Sequence, residues 1–192
     1  MQHLKEVHFY LHGLGDVHAQ NCDYGFETAS KREICGYYQT LTDNQIQDKL
    51  ETCMNHFFRL DIAAAHLEPD NEIENNPVIL INQETRQHKR LLTRSLKSVI
   101  IRNDDMLNTP ILFYGKVKLG IKEVEHVHSI VLKNVKSNKP FLYLKNGLLD
   151  YAPKDIDSDY IYNFVFLGVY QSNNKYPELY HQGTFKYSKA DI

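Results

Sequence analysis

The chain has 192 residues, carries a formal net charge of −2 and is 42% hydrophobic and 24% charged. This length and composition predict one globular domain, 1–192, with a core of its own, and they exclude a disordered chain. The longest apolar runs, such as 78–81 and 99–101, are too short to cross a bilayer, so we expect no membrane insertion. We also expect no Sec-type signal peptide, because no uninterrupted apolar segment occurs near residue 1.

Basic residues are scattered along the chain, and the one locally basic run, 86–97, has helical spacing. A solvated helix face explains that run better than a nucleic-acid footprint, so we expect no nucleic-acid partner. Three cysteines without CxxC spacing, Cys22, Cys35 and Cys53, argue against a disulfide framework or a thiolate zinc site. They predict free thiols in a reducing compartment.

A short strand at 7–11 is predicted to lead through a glycine-containing loop, 13–20, to a helix that begins near Cys22. The best-defined helix is 43–58, and the sequence Thr-Asp-Asn-Gln at 42–45 fits a capping box at its start. Its apolar residues recur on one face, at Ile46, Leu50, Cys53, Met54 and Phe57. That stripe predicts that Cys53 lies in the core.

The pattern of the chain changes after residue 97. An acidic loop at 68–77 and an amphipathic helix at 84–97 are followed by β-branched or aromatic runs between turn residues. The predicted strands are 99–102, 111–119, 126–135, 140–145 and 160–170. Helices thus precede strands, which predicts an α+β domain whose helical N-terminal half packs on a mainly antiparallel β-sheet from the C-terminal half.

The segment His-Ala-Gln-Asn-Cys-Asp-Tyr-Gly-Phe, 18–26, places Cys22 in a polar loop at a predicted helix start. A thiol reacts as the thiolate, which a helix N-terminus or a nearby imidazolium favours. Gln20 is suited to donate its side-chain amide to an oxyanion on a substrate carbonyl. Cys22 is therefore a candidate nucleophile, and the alternative is a small buried apolar residue.

Residues 125–132 pass from polar to apolar within one predicted strand, whose alternation places four side chains on one face: His126, His128, Ile130 and Leu132. His128 stands where this strand enters the core, which would hold a general base rigidly. The alternative is a hydrogen-bonded histidine at a strand end. An antiparallel partner strand would return Asn146 toward the start of the histidine strand, where Asn146 or Asp150 could orient the imidazole. Asn146 also fits a plain Asn-Gly turn.

The segments HSIVLKNV (128–135) and FLYLKNG (141–147), with QNC (20–22) upstream, resemble the catalytic segments of papain-like cysteine peptidases. In that superfamily the cysteine begins a helix, the histidine opens a core strand and an asparagine ends a following strand. The resemblance implies a papain-like fold. It also implies site roles: Cys22 as nucleophile, His128 as base, Asn146 or Asp150 as orienting residue and Gln20 as oxyanion donor.

These features predict a thiol hydrolase that acts, without a cofactor, on an amide, peptide or isopeptide bond of a protein or peptide substrate. Peptidase, deamidase and acyltransferase variants of this chemistry stay open. Divergent members of the superfamily include bacterial effector peptidases, and the Asn- and Lys-rich, Trp-free composition suggests such an effector. The expected location is the cytoplasm, or a host cytosol reached through a specialised secretion system.

A metal site is one alternative to thiol chemistry. His126 and His128 share a strand face beside Glu125, a spacing that can chelate zinc or iron. Three further histidines lie near the N-terminus: His8, His12 and His18.

A non-catalytic interaction module is the other alternative. Tyrosines are enriched at binding surfaces, and eight of them crowd the C-terminal third: Tyr143, Tyr151, Tyr160, Tyr162, Tyr170, Tyr176, Tyr180 and Tyr187. The same side chains could equally fill a core that has no tryptophan.

Overall fold

The computed structural model describes residues 26–58, 76–82, 85–97, 104–124, 127–145 and 155–190. Within these ranges two α-helices precede nine strands, and a short 3-10 helix, Asp104–Met106, lies between the third and fourth strands. The helices are α1 (Lys31–Thr40) and α2 (Asp43–Phe58). The strands are β1 (Ile79–Ile81), β2 (His88–Arg90), β3 (Thr93–Ser95), β4 (Ile111–Val124), β5 (Val127–Lys133), β6 (Pro140–Lys145), β7 (Tyr162–Val169), β8 (Glu178–Leu179) and β9 (Phe185–Lys189). No helix within these ranges is long and apolar enough to span a bilayer.

Seven strands form one curled sheet with the order β6-β5-β4-β7-β8, to which β3 adds beside β4 and β9 beside β7. The β3–β4 pair is parallel and the other strand pairs are antiparallel. The first half of β4 pairs with β7 and its second half with β5. Because β6 also contacts β8, the sheet closes nearly into a barrel.

Side-chain alternation divides the sheet between two hydrophobic cores. The barrel core contains the inward residues, such as Phe113 of β4 and Phe166 of β7. The helix-side core lies on the outer face, where Leu112, Val165 and Leu167 pack against α1 and α2. All eight residues of β7 are buried, since this strand faces a core on both sides.

The predicted helix at 43–58 is confirmed with the same bounds as α2. At its start the Thr42 amide donates to Gln45 Oε1 at 2.8 Å, and the Gln45 amide donates to Thr42 Oγ1 at 3.3 Å. The predicted apolar stripe is buried at Ile46, Leu50, Cys53 and Met54. Phe57 is partly buried and stacks on Tyr114 of β4, with 3.9 Å between ring centroids, which ties α2 to the sheet.

The predicted helix at 84–97 is wrong, because the described part of this range contains β2 and β3. Pairing with β1 and β4 outweighs the helical spacing of its leucines. Those leucines do not share a face: Leu91 lies in the helix-side core and Leu96 in the barrel core. The spacing that predicts one helix therefore belongs to a segment that crosses between two cores.

Helix α1 was not predicted at its observed position. A helix was expected to begin near Cys22, which lies outside the described residues, as do the predicted elements 7–11, 13–20 and 99–102. The signal for α1 is the sequence Ser-Lys-Arg-Glu at 30–33, which forms a capping box of the same kind as that of α2.

The α+β class is confirmed, since two helices pack on a largely antiparallel sheet. The strand predictions at 111–119, 126–135, 140–145 and 160–170 correspond to β4 to β7, although β4 extends further, to Val124. A helical N-terminal half is not confirmed, because β1 to β3 also fall there.

Candidate functional site

His128 is the one predicted catalytic residue within the described ranges. It is the second residue of β5, and its side chain is 6% exposed. Alternation aligns it with Ile130 and Leu132, which belong to the barrel core. Across the β4–β5 pair it lies opposite Glu123, which is exposed. The imidazole therefore lies at one end of the barrel interior, where the predicted strand enters the core.

Both ring nitrogens of His128 are buried, and neither has a hydrogen-bond partner in the described part of the chain. An unpaired buried polar group costs about 1–3 kcal/mol. The described residues thus do not supply the hydrogen bond that a purely structural histidine requires. An imidazole with two unpaired nitrogens can take a proton from a nucleophile at one nitrogen and donate an orienting hydrogen bond from the N–H of the other.

The hairpin of β5 and β6 brings the end of β6 beside His128. Its turn is closed by the Asn134 amide, which donates to the Lys139 carbonyl oxygen at 2.9 Å. The antiparallel register pairs Lys145, the last residue of β6, with Ser129, the sequence neighbour of His128. The predicted antiparallel pairing of these two strands is thereby confirmed, while the position of Asn146 stays a prediction because it lies outside the described residues.

The remaining predicted catalytic residues lie outside the described residues: Cys22, Gln20, Asn146 and Asp150. The same holds for most residues of the metal alternative: His8, His12, His18, Glu125 and His126. Within the described ranges no three His, Cys, Asp or Glu side chains are grouped so that they could hold a metal ion. The assembly of either site therefore stays a prediction.

The two described cysteines have distinct surroundings. Cys53 is fully buried on α2, and this burial raises the pKa of its thiol to about 12. Because its side chain is fully buried, the Cys53 thiol has no access to a substrate, and its predicted core position is confirmed. Cys35 on α1 is partly exposed, and its thiol donates to the carbonyl oxygen of Asn108 at 3.5 Å.

An open groove of about 510 Å³ separates α1 from the β1–β2 hairpin, and the sequence reasoning did not anticipate it. The carboxylate of Glu33 connects the two walls. It accepts from Lys89 Nζ at 2.9 Å, from the Ser30 amide at 2.7 Å and from Ser30 Oγ at 2.6 Å. The capping box of α1 is therefore also the point at which this helix is joined to β2.

Acid denaturation should report on Glu33. The hydrogen bond from Lys89, followed by those from Ser30, lowers the pKa of Glu33 from 4.5 to about 2. Since the folded pKa lies below the unfolded value, this carboxylate stabilises the fold fully above pH 4.5, and its contribution is lost as the pH falls toward 2. Glu33→Gln is expected to make the urea midpoint depend less on pH across that range.

The measurement is the urea midpoint at a series of pH values from 6 down to the acid limit of the fold. Lys89→Met removes the largest cause of the shift and should flatten the same acid limb in the same direction. An acid limb that is identical in the parent and in both variants would show that these bonds do not stabilise the folded state.

The tyrosines of the C-terminal third divide between core and surface, so the core interpretation holds for some of them and the binding-surface interpretation stays a prediction for the exposed ones. Two are buried in the barrel core, Tyr162 and Tyr170. Two are partly buried, Tyr180 and Tyr187. Three are exposed: Tyr143, Tyr160 and Tyr176. Tyr151 lies outside the described residues.

What bears on function in this molecule is the buried imidazole of His128, the β5–β6 hairpin beside it, and the exposed surfaces of the fold. Comparison with known proteins adds no relative: no family model, no curated protein and no solved structure matches this chain.

Proposed function

We propose that the protein is a thiol hydrolase in which His128 is the general base for Cys22, acting on an amide, peptide or isopeptide bond of a protein or peptide substrate. The observation that carries this proposal is the imidazole of His128, buried and without a hydrogen-bond partner among the described residues. A catalytic imidazole needs one nitrogen for the nucleophile and one for an orienting group, and no described structural contact occupies either nitrogen.

In the proposed reaction His128 takes the proton of the Cys22 thiol, and the thiolate attacks the substrate carbonyl carbon. The oxyanion that forms accepts a hydrogen bond from the Gln20 amide. The intermediate collapses when His128 gives its proton to the leaving amine, which leaves an acyl-enzyme. Water, deprotonated by His128, then hydrolyses the thioester and restores the thiol.

The β5–β6 hairpin supports a papain-like arrangement, in which the histidine and its orienting residue belong to neighbouring antiparallel strands. The end of β6 is paired with the residue after His128, and Asn146 follows β6 directly in sequence. Asn146 is accordingly the first choice for the orienting residue, and Asp150 the second. The Asn- and Lys-rich, Trp-free composition supports the further proposal of an effector delivered into a host cytosol.

The decisive experiment is thiol labelling of the native protein with iodoacetamide at neutral pH, followed by peptide mapping. We expect fast modification of Cys22, which Cys22→Ala removes together with cleavage of fluorogenic amide substrates. Cys35→Ala is the matched control and should keep both. Cys53 should be labelled only after unfolding, because its thiol is buried and has a pKa of about 12.

Two results would contradict the assignment. One is a Cys22→Ala protein that is labelled as fast as the parent. The other is unchanged labelling of Cys22 after His128→Leu, because a thiol that depends on His128 for deprotonation should then react more slowly.

A further inference from the structure

The outer face of the β4–β5–β6 sheet carries lysines from all three strands. Strand register sets three rows of outward side chains: Lys118 with Lys133, Gly120 with Val131 and Tyr143, and Lys122 with Ser129 and Lys145. Cross-strand partners share a face, and the alternate residues of the same strands form the barrel core. The rows therefore point to the outside of the barrel, on the part of the sheet that α1 and α2 do not cover.

We call this surface the lysine face and define it by Lys116, Lys118, Lys122, Lys133 and Lys145. Two more exposed lysines, Lys136 and Lys139, stand at the tip of the β5–β6 hairpin. None of the outward residues described on these three strands is acidic, and none of the seven lysines forms an ion pair with another described residue. The face is thus a concentrated positive field on a chain whose net charge is −2.

Gly120 of β4 leaves space for the side chain of Lys133 on the neighbouring strand β5. A Cβ at Gly120 would lie 3.2 Å from both Cε and Nζ of Lys133, its diagonal neighbour on β5. The absence of a side chain at Gly120 lets the Lys133 chain lie across β4, between Lys118 and Lys122. The positive charges are in this way spread over the middle of the face and not only along its edges.

The lysine face ends at a shallow cleft of about 190 Å³ between β6 and the segment before β8. Two exposed tyrosines line it: Tyr143 is 50% exposed and Tyr176 is 47% exposed. Lys145 and Lys175 also line it, and Lys175 Nζ lies 5.7 Å from the Tyr176 ring centroid. The cleft therefore places planar rings and ammonium groups side by side.

One carboxylate lines the same cleft, and it has a partner of its own. Glu178 accepts a hydrogen bond from the side-chain amide of Asn174, and its side chain is only partly exposed. On the other side of the cleft Lys122 Nζ lies 5.9 Å from the Tyr143 ring centroid. The charge around the two tyrosines is therefore positive in balance.

We propose that the lysine face and the cleft between Tyr143 and Tyr176 bind single-stranded nucleic acid, in contrast to the expectation from the sequence, where the register that groups these lysines is not visible. Lysine ammonium groups neutralise phosphates as point charges, and aromatic rings stack with bases whatever their sequence. Outward residues two apart on a strand are separated by about 7 Å, a spacing that suits successive phosphates of an extended strand. The two tyrosines would receive a base at the cleft while the backbone crosses the lysines.

Other anionic partners fit this surface less well. A membrane surface would call for apolar side chains that insert among the lipids. Two exposed apolar side chains besides Tyr143 are described on these strands, Val127 and Ile121, and Ile121 lies on the opposite side of β4 from the lysines, across from Ile130 of the barrel core. An acidic peptide is best met by arginine, whose guanidinium binds carboxylates in a bidentate way, and the face contains lysine alone. Paired exposed tyrosines within a lysine field are what a stacking base requires.

The test is fluorescence polarisation of labelled 20-nucleotide oligo(dT) and oligo(rU) with the full chain at several salt concentrations. We expect binding that weakens with salt by a slope of about −0.7 per neutralised phosphate. The variant Lys122→Gln/Lys133→Gln/Lys145→Gln should weaken binding roughly tenfold or more and make that slope shallower. Tyr143→Ala/Tyr176→Ala should weaken binding roughly tenfold and leave the slope unchanged.

The matched control is Tyr160→Ala/Lys189→Ala. Tyr160 is 42% exposed, with Lys189 Nζ 3.9 Å from its ring centroid, so it is the same kind of pair outside the proposed surface. The control variant Tyr160→Ala/Lys189→Ala should bind the oligonucleotides as the parent does. Cys22→Ala should also bind them as the parent does, because this proposal does not depend on the thiol. Thermal unfolding of each variant verifies that it is folded.

Three outcomes would overturn the proposal. The first is no binding by the folded parent at about 50 mM salt, where electrostatic contacts are strong. The second is an equal loss of affinity in the control pair. The third is preference for another polyanion, measured with polyglutamate and with vesicles of 30% phosphatidylserine in phosphatidylcholine, which would make the surface a site for an acidic protein or a membrane.

Discussion

His128→Leu is expected to slow hydrolysis by orders of magnitude without lowering the free energy of unfolding. The imidazole is buried next to Ile130 on the barrel side of β5, and its two nitrogens have no partner among the described residues. Leucine avoids the cost of about 1–3 kcal/mol for an unpaired buried polar group, so the variant should be as stable as the parent or more so. Loss of a general base typically lowers the rate by about 10²–10⁴-fold.

The measurement is the urea midpoint of His128→Leu together with its rate on the substrate used for Cys22. Tyr38→Phe is the matched control, since the Tyr38 hydroxyl is also buried and without a partner among the described residues. It should retain stability and full activity. A marked drop in the stability of His128→Leu would make His128 a structural residue, and retained activity would remove it from the mechanism.

Gly168→Ala is expected to be strongly destabilising, and more so than alanine at the other glycines whose surroundings the structure describes, Gly36, Gly115 and Gly120. A Cβ at this position of β7 would lie 2.7 Å from Phe166 Cε2, 2.9 Å from the Glu178 carbonyl oxygen and 3.2 Å from Phe113 Cε2. Both rings belong to the closely packed barrel core, and the carbonyl belongs to β8, which pairs with β7 at Gly168. Neither can retreat freely, so a loss of about 3 kcal/mol is expected.

Gly36→Ala provides the comparison, because nothing lies within 4 Å of a Cβ at Gly36 and the residue is inside α1. Alanine there should raise the free energy of unfolding by about 0.5–1 kcal/mol through helix propensity. Urea denaturation of both variants measures the difference. Equal stabilities would show that β7 and β8 are not packed as closely as described.

Local chemistry was sufficient to predict α2 and the β5–β6 hairpin. The capping box and the apolar stripe of α2 each involve residues that are close together in the sequence, so both can be recognised from the sequence alone. At 84–97 the same kind of pattern misled, because Leu91 and Leu96 are directed into different cores by pairing with β1 and β4. Strand β1 is close to β2 in sequence, but β4 pairs with β3 from much further along the chain, as Thr93 with Leu112. The helical spacing within 84–97 indicates neither pairing.

The candidate site divides in the same way. Strand alternation was enough to place His128 at the end of a core strand, whereas its unpartnered nitrogens follow from the packing of the whole barrel. The lysine face had no signal in the sequence, where its members look scattered. Lys118 and Lys133, or Lys122 and Lys145, become neighbours only through the register of β4, β5 and β6.

The double burial of β7 has a consequence for synthesis on the ribosome. Helices α1 and α2 precede β7 by about 100 residues, yet their apolar faces are covered by Val165 and Leu167 of that strand. At roughly 5–20 residues per second, the helices wait about 5–20 s before their partner is made. During that time the helix-side core, which includes Ile46, Leu50 and Met54, lacks the part that β7 contributes, so this core is completed late in synthesis.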